Sequence, residues 1–101
     1  MRYSKKEIKN LKKNKKRIKE LNNKAELTPK EKKELDNLNF IVTSLLNAIE
    51  ILSDREKEFI QMRIDGLTFI EIASLKYLSS TGAEYVVSVA QEKLDKILNY
   101  R

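Results

Sequence analysis

The sequence predicts an all-α fold of about five helices, and three observations lead to this prediction. Lys, Glu, Leu and Ile dominate a chain of 101 residues that contains only two Gly and one Pro. No segment alternates apolar and polar residues over the length that a strand needs. Four Ser or Thr residues each precede a Glu by three positions, a pattern with which helices cap their own first turn.

These four capping patterns predict four helix starts. The pairs are Ser4 with Glu7, Thr28 with Glu31, Ser53 with Glu56, and Thr68 with Glu71. In each pair the hydroxyl can accept from the third backbone N–H, while the carboxylate reaches back to the N–H of the capping residue. Pro29 then takes the first helical position, where its missing N–H costs nothing. Gly66 predicts that the third helix ends there in a left-handed conformation.

The first two predicted helices differ in the apolar surface they carry. The first, about residues 5–23, has a thin stripe that can pack on one neighbour and no more. The stripe consists of Ile8, Leu11, Ile18 and Leu21. The second helix, about residues 29–52, has a broad apolar face. Phe40 and Ile51 point away from that face, so we expect this helix to touch more than one partner.

Three further helices complete the predicted fold, over about residues 54–65, 69–77 and 81–99. In the last of them, apolar residues recur at alternating steps of four and three, which places them on one face. These residues are Ala83, Val87, Ala90, Leu94 and Ile97.

The net charge of +6 is concentrated near the amino terminus. Residues 1–33 carry 14 Lys or Arg against 4 Asp or Glu, whereas residues 54–101 carry 7 against 8. The polar stretch 22–27 predicts a boundary between a basic helical arm, residues 1–27, and a helical body, residues 28–101. A basic arm on a near-neutral body is typical of a contact with nucleic acid or with an acidic protein. The alternative is a solvated Lys-rich surface.

The residue types present exclude several kinds of chemistry. The sequence has no Cys and no His, which removes thiol nucleophiles, disulfides, imidazole bases and structural zinc. Neighbouring carboxylates such as Glu56 and Glu58 lie on different helix faces, so we expect no enzyme activity and no cofactor or metal. The apolar runs are too short for a membrane span, and no secretory leader is expected. The sequence therefore predicts a cytoplasmic protein that does not enter a membrane.

The segment 69–86 has the spacing of a helix-turn-helix. Such a motif needs a small residue where its two helices cross, and Ala73 supplies one. It also needs apolar residues around the crossing, which are Ile72, Leu78, Ala83 and Val86. The tight turn ordinarily takes Gly for its positive φ, but Tyr77 stands there, at a strain of about 1 kcal/mol or more. We therefore expect a longer or differently shaped turn.

Residues 52–73 resemble region 4 of the sigma-70 family of transcription factors. In that family a Leu precedes a helix that reads Glu-Arg-Glu, then paired aliphatics and an Arg, then Gly-Leu-(Ser/Thr)-aromatic-x-Glu-Ile-Ala. The matching stretches here are Leu52-Ser53-Asp54-Arg55-Glu56, Phe59-Ile60, Arg63 and Gly66-Leu67-Thr68-Phe69-Ile70-Glu71-Ile72-Ala73. Farther on, Ala90-Gln91-Glu92-Lys93-Leu94 is similar to the family's closing Ala-x-x-(Lys/Arg)-Leu.

The resemblance implies a sigma region 4-like helix-turn-helix over about residues 52–98 and a role in transcription. Short chains with a Lys-rich helical start and such an end look like late-transcription regulators of phages and mobile elements, of the ArpU and RinA type. Such proteins act in the cytoplasm of a bacterial host. No promoter-melting region precedes this one, so we do not expect a complete sigma factor. Arg63 is expected to be structural, pairing with Glu71 or Glu56.

In such motifs the second helix lies in the major groove, and residues near its start contact bases or phosphates. By register these residues are Ser79, Ser80, Thr81, Glu84, Tyr85 and Ser88. None is basic, although family members usually place Lys or Arg at the positions of Ser80, Glu84 and Val86. Phosphate contacts then fall to Lys76 and to the basic arm. The candidates in the arm are Lys12, Lys13, Lys16 and Arg17.

Two interpretations of this pattern stay open. In the first, the partner is DNA: the hydroxyls and Glu84 give weak base readout while the arm contacts phosphates. In the second, the fold binds RNA polymerase, another transcription regulator or a second copy of the chain through Tyr85, Val89 and Tyr100. The alternative for these three residues is partial burial under the first two helices.

Overall fold

A computed structural model describes residues 3–99, which form five α-helices and no strand. The helices are α1 (Tyr3–Asn22), α2 (Pro29–Ile49), α3 (Asp54–Ile64), α4 (Phe69–Lys76) and α5 (Ser80–Asn99). The all-α prediction is confirmed, and each predicted helix is present within three residues of its expected bounds. None of the helices in this described range is long and apolar enough to cross a membrane.

Capping boxes start three of the helices, as predicted. In α2, α3 and α4 the hydroxyl before the helix accepts from the N–H of the Glu three residues on, and that Glu accepts from the capping N–H. The pairs are Thr28–Glu31, Ser53–Glu56 and Thr68–Glu71. Each pair satisfies two N–H groups that have no partner within the helix.

The fourth predicted cap, at Ser4, is wrong. Ser4 lies inside α1 and is completely buried. Its N–H donates to Asp95 Oδ1 at 2.9 Å and its hydroxyl donates to the Gln91 main-chain carbonyl at 3.2 Å. Ser4 therefore binds α1 to α5. A hydroxyl that can cap a helix can equally make a tertiary hydrogen bond, and local sequence does not distinguish the two.

α5 packs against each of the other four helices. Its buried stripe follows the predicted spacing, while Ile97 lies half-buried at the edge of the core. The fully covered members are Ala83, Val87, Ala90 and Leu94. The core residues that the other helices contribute are Ile8 and Leu11, Val42, Leu45 and Ala48, Phe59 and Ile60, and Ile72 and Ala73. Two alanines in the stripe let neighbouring helices approach closely, so one helix can serve several partners.

α1 is more deeply integrated than its thin apolar stripe predicts. It contacts α2, α3 and α5, so the expectation of a single neighbour is wrong. Polar groups beside the stripe account for part of the difference, since Ser4 forms hydrogen bonds to α5 and Lys12 pairs with Asp65 at the end of α3. α2 contacts α1 and α5, as expected of a helix with more than one partner. Phe40 and Ile51 nevertheless remain exposed.

The connection between α4 and α5 is tight, and Tyr77 supplies its positive φ. Tyr77 takes the left-handed conformation, with φ 56° and ψ 42°. Its N–H and that of Leu78 both donate to the Ala73 carbonyl, the latter at 2.9 Å. The expectation of a longer or differently shaped turn is therefore wrong, because the turn keeps its shape at the cost of backbone strain. Gly66, with φ 91°, follows α3 as predicted.

Glu56 joins the cap of α3 to α5. It is buried, accepts from the Ser53 N–H at 3.0 Å, and lies 2.8 Å from Lys93 Nζ. The hydrogen bond from Lys93 is the main cause that lowers the pKa of Glu56 below its ordinary value, against the opposing effect of burial. Lys93 is therefore the partner of Glu56. From the sequence alone, Arg63 was one possible partner of this carboxylate.

Arg63 is structural, but with other partners than expected. Its guanidinium donates to the Leu67 carbonyl at 2.7 Å and lies 4.5 Å from the centre of the Phe69 ring. These contacts hold the turn between α3 and α4. Neither Glu71 nor Glu56 pairs with it.

Replacing Tyr77 by Gly should raise the free energy of unfolding by about 1 kcal/mol, because Gly adopts positive φ without strain. The Tyr77 ring is 96% exposed, so its removal loses little packing. Ser74→Gly, at an exposed position inside α4, is the control and should lower stability by about 0.5–1 kcal/mol. Urea unfolding measures both variants. A loss of stability in Tyr77→Gly equal to that of the control would contradict the strained turn.

Replacing Glu56 by Gln should cost about 1–2 kcal/mol of unfolding free energy at neutral pH, because it removes the carboxylate that Ser53 and Lys93 bind. The lowered pKa of Glu56 means that its contribution is present above the ordinary carboxyl pKa and is lost as pH falls through the folded value. The difference from wild type in urea unfolding should therefore shrink between neutral pH and about pH 3.

The matched control is Glu71→Gln, in a cap that is exposed and forms no ion pair within residues 3–99. Its effect on stability should be smaller than that of Glu56→Gln. Equal losses in the two variants would show that the Lys93 contact does not stabilise the packing of α3 on α5.

Candidate nucleic-acid interface

α4, the connection 77–79 and α5 form the unit that carries the predicted reading residues. Because α5 turns Ala83 and Val87 inward, residues on the opposite side of its first half face solvent. Ser80, Thr81, Glu84 and Tyr85 are exposed there, whereas Ser88 is half-buried. The predicted DNA-contacting residues of α5 therefore lie on its solvent side, which we call the outer face of α5. Ser79 precedes the helix and is the exception.

Ser79 caps α5. Its hydroxyl oxygen accepts from the Gly82 N–H at 3.0 Å, and its carbonyl accepts from the Ala83 N–H at 3.0 Å. Sequence reasoning assigned Ser79 only to DNA contact because no Glu follows it by three residues. Serine is a preferred cap with or without that Glu, which is the signal that could have identified this role.

The outer face of α5 offers hydrogen-bond donors but no positive side chain. Residues 77–92 contain no Lys or Arg, and Glu84 adds an exposed carboxylate. The hydroxyls of Ser80 and Thr81 lie in the first turn, where main-chain N–H groups lack partners within the helix. This end of a helix carries partial positive charge and suits the oxygen atoms of a phosphate.

Three of the five predicted cations are held in ion pairs with other parts of the fold. The pairs are Lys76 with Glu58, Lys12 with Asp65 at 3.3 Å, and Arg17 with Glu34 at 2.8 Å. The Arg17 hydrogen bond is the main cause that lowers the pKa of Glu34. The other two, Lys13 and Lys16, are exposed and form no ion pair within residues 3–99. Of the predicted cations, these two are the most available to a partner.

The amino-terminal end of α1 lies against the second half of α5. Ser4 contacts Gln91 and Asp95, which follow Ser80 by 11 and 15 residues. At 1.5 Å per residue, that places the start of α1 roughly 16–22 Å along α5 from Ser80. A partner that touches both regions must therefore extend over most of the length of α5.

Large apolar side chains are exposed on the same α4–α5 unit. Ile70, Leu75, Tyr77 and Tyr85 are 74%, 61%, 96% and 70% exposed. Partial burial, the alternative for Tyr85, is therefore wrong, whereas Val89 is half-buried. Tyr100 lies outside the described residues.

No protein-family model matches the chain, and no curated protein or solved structure matches it. The likeness to sigma region 4 consequently rests on the motif residues of this sequence.

Proposed function

We propose that this protein is a small transcription regulator of the phage or mobile-element type that binds DNA. In this proposal α3, α4 and α5 form a sigma region 4-like helix-turn-helix, with α5 as the recognition helix. The observation that carries it is the outer face of α5, where Ser80, Thr81, Glu84 and Tyr85 project together opposite a fully buried stripe. A recognition helix needs this division between a scaffold side and a reading side.

In DNA binding, α5 and α1 have different tasks. The hydroxyls and carboxylate on α5 contact base edges, and the Ser80 and Thr81 N–H groups at the start of α5 contact a phosphate. The next N–H group, that of Gly82, already donates to the Ser79 hydroxyl. Lys13 and Lys16 of α1 supply the cations that the first half of α5 lacks. A DNA duplex is long enough to reach both elements, and binding through phosphates makes the affinity depend on salt.

Lys13→Gln/Lys16→Gln should weaken binding to a fluorescent DNA duplex, because it removes two phosphate contacts. Fluorescence anisotropy at increasing salt should show a slope of log affinity that is smaller by about 2 in the double variant. The matched control is Lys30→Gln/Lys33→Gln, which removes the same charge from exposed positions of α2. Absence of duplex binding at low salt would overturn the proposal, and equal losses in both double variants would overturn the role of Lys13 and Lys16.

A second candidate function is a protein-binding modulator of RNA polymerase or of another transcription regulator. The exposed Ile70, Leu75, Tyr77 and Tyr85 favour it, since apolar groups of this size are typical of the centres of protein interfaces. The acidic, hydroxyl-bearing face of α5 also avoids repelling a basic partner.

Glu84→Lys separates the two candidates. If the start of α5 lies against DNA, exchanging the carboxylate for a cation should tighten binding to a duplex of arbitrary sequence about tenfold at low salt, with Glu84→Gln in between, because no base contact of Glu84 is lost on such a duplex. If α5 faces a protein, the same change should weaken binding to purified, nuclease-treated RNA polymerase and leave duplex affinity unchanged. Weaker duplex binding by Glu84→Lys would contradict a recognition role for this face.

A further inference from the structure

A cleft of about 360 Å³ lies where α1, the end of α3 and α5 meet. Lys5 and Lys9 of α1, Arg63 of α3 and Gln91 of α5 line it, with Ile8 and Gly66 among its walls. It lies beside the second half of α5, apart from the reading residues of the proposed recognition helix. The space beside Gly66 is open, because a Cβ atom added there would meet nothing within 4 Å.

The cleft is strongly positive. Three of its lining residues are cations and none is acidic. Lys5 and Lys9 are exposed and form no ion pair within the described part of the chain. Arg63 already donates to the Leu67 carbonyl, but a guanidinium has five N–H donors and retains several for a ligand.

Among the carboxylates close to the cleft in sequence, Glu7 and Glu92 do not line it, and two others are bound elsewhere. Asp65, which precedes Gly66, lies 3.3 Å from Lys12 Nζ and accepts from Gln61 Nε2 at 3.2 Å. Asp95, one turn after Gln91, accepts from the Ser4 N–H at 2.9 Å. Neither lines the cleft, so its positive charge is not cancelled from within.

The helices that form the cleft are held together by hydrogen bonds within the protein. The completely buried Ser4 binds the start of α1 to α5, which holds the following Lys5 and Lys9 over Gln91. Gln91 is only 7% exposed. Within residues 3–99, the tertiary hydrogen bond to Gln91 goes to its main-chain carbonyl, which leaves the side-chain amide to donate into the cleft.

We propose that this cleft binds a phosphate group, which Lys5, Lys9 and Arg63 neutralise and to which the Gln91 amide donates. Cations that converge with a nearly buried amide donor are the groups that charge-assisted recognition of phosphate requires. The phosphate belongs either to a nucleic-acid backbone or to a small phosphorylated ligand, since about 360 Å³ lies at the lower end of the range for small-molecule sites. Binding of a nucleic-acid phosphate here rests on the proposed DNA-binding function, whereas binding of a small phosphorylated ligand does not.

Pyrophosphate is the direct probe, titrated into the full chain at constant ionic strength while nuclear magnetic resonance follows the Gln91 side-chain amide. We expect saturable shifts of this amide, and an affinity that falls about tenfold or more in Lys5→Gln/Lys9→Gln. Lys30→Gln/Lys33→Gln has the same net charge and should retain the affinity of wild type. Circular dichroism checks that both double variants keep the helical fold. Linear, unsaturated shifts, or equal losses in the two variants, would overturn the site.

Duplex binding by the same variants then identifies the source of the phosphate. Competition by pyrophosphate, together with weaker duplex binding in Lys5→Gln/Lys9→Gln, assigns the cleft to the nucleic-acid backbone. Loss of pyrophosphate binding with unchanged duplex affinity assigns it to a small ligand. If no duplex binds but pyrophosphate does, the DNA-binding proposal fails and the cleft stands. If duplex binds but pyrophosphate does not saturate, the cleft proposal fails alone.

Discussion

The burial of one stripe of α5 is the constraint on which the rest of this structure depends. Ala83 and Ala90 have no side chain beyond Cβ, so helices can cross α5 closely, and Val87 and Leu94 fill the space between them. All four other helices contact α5. Since the stripe takes one side of α5, the opposite side of its first half is left to solvent. The same arrangement that forms the core therefore selects which residues a partner can reach.

The positive charge lies mainly on other parts of the fold than the exposed start of α5. The exposed start of α5 has hydroxyls and Glu84 but no cation, whereas the lysines are concentrated on α1 and the start of α2. Ser4 binds α1 to the second half of α5, so the lysines of α1 and the proposed reading residues of α5 lie on different parts of the fold. A single extended anion could use both surfaces together. A compact partner would use only one of them. If that partner is a protein, the exposed apolar side chains of α4 and α5 favour binding at the α4–α5 unit.

Local interactions made much of the fold predictable. A capping box lies within four residues, and a buried stripe repeats along one helix, so Thr28, Ser53, Thr68 and the alanines of α5 could be identified from the sequence. Ser4 was misassigned because its partners, Gln91 and Asp95, are brought close to it only by folding. Tyr77 and Arg63 bond to carbonyls four residues away, but the general preferences for Gly at positive φ and for pairing a cation with a carboxylate did not apply there. For the candidate site, register predicted which residues of α5 face outward. It could not predict that carboxylates on other helices hold Lys12 and Arg17, since those pairs join distant parts of the chain.

We propose that the outer face at the start of α5 meets the partner while its inner stripe holds the fold. This division of α5 can be mapped from backbone amide shifts by nuclear magnetic resonance, during titration with an unlabelled DNA duplex at low salt. We predict saturable shifts that cluster at residues 79–88 and at Lys13 and Lys16, with little change on the exposed side of α2 around Phe40. Shifts confined to α1, or centred on the exposed side of α2, would contradict the assignment of α5 as the recognition helix.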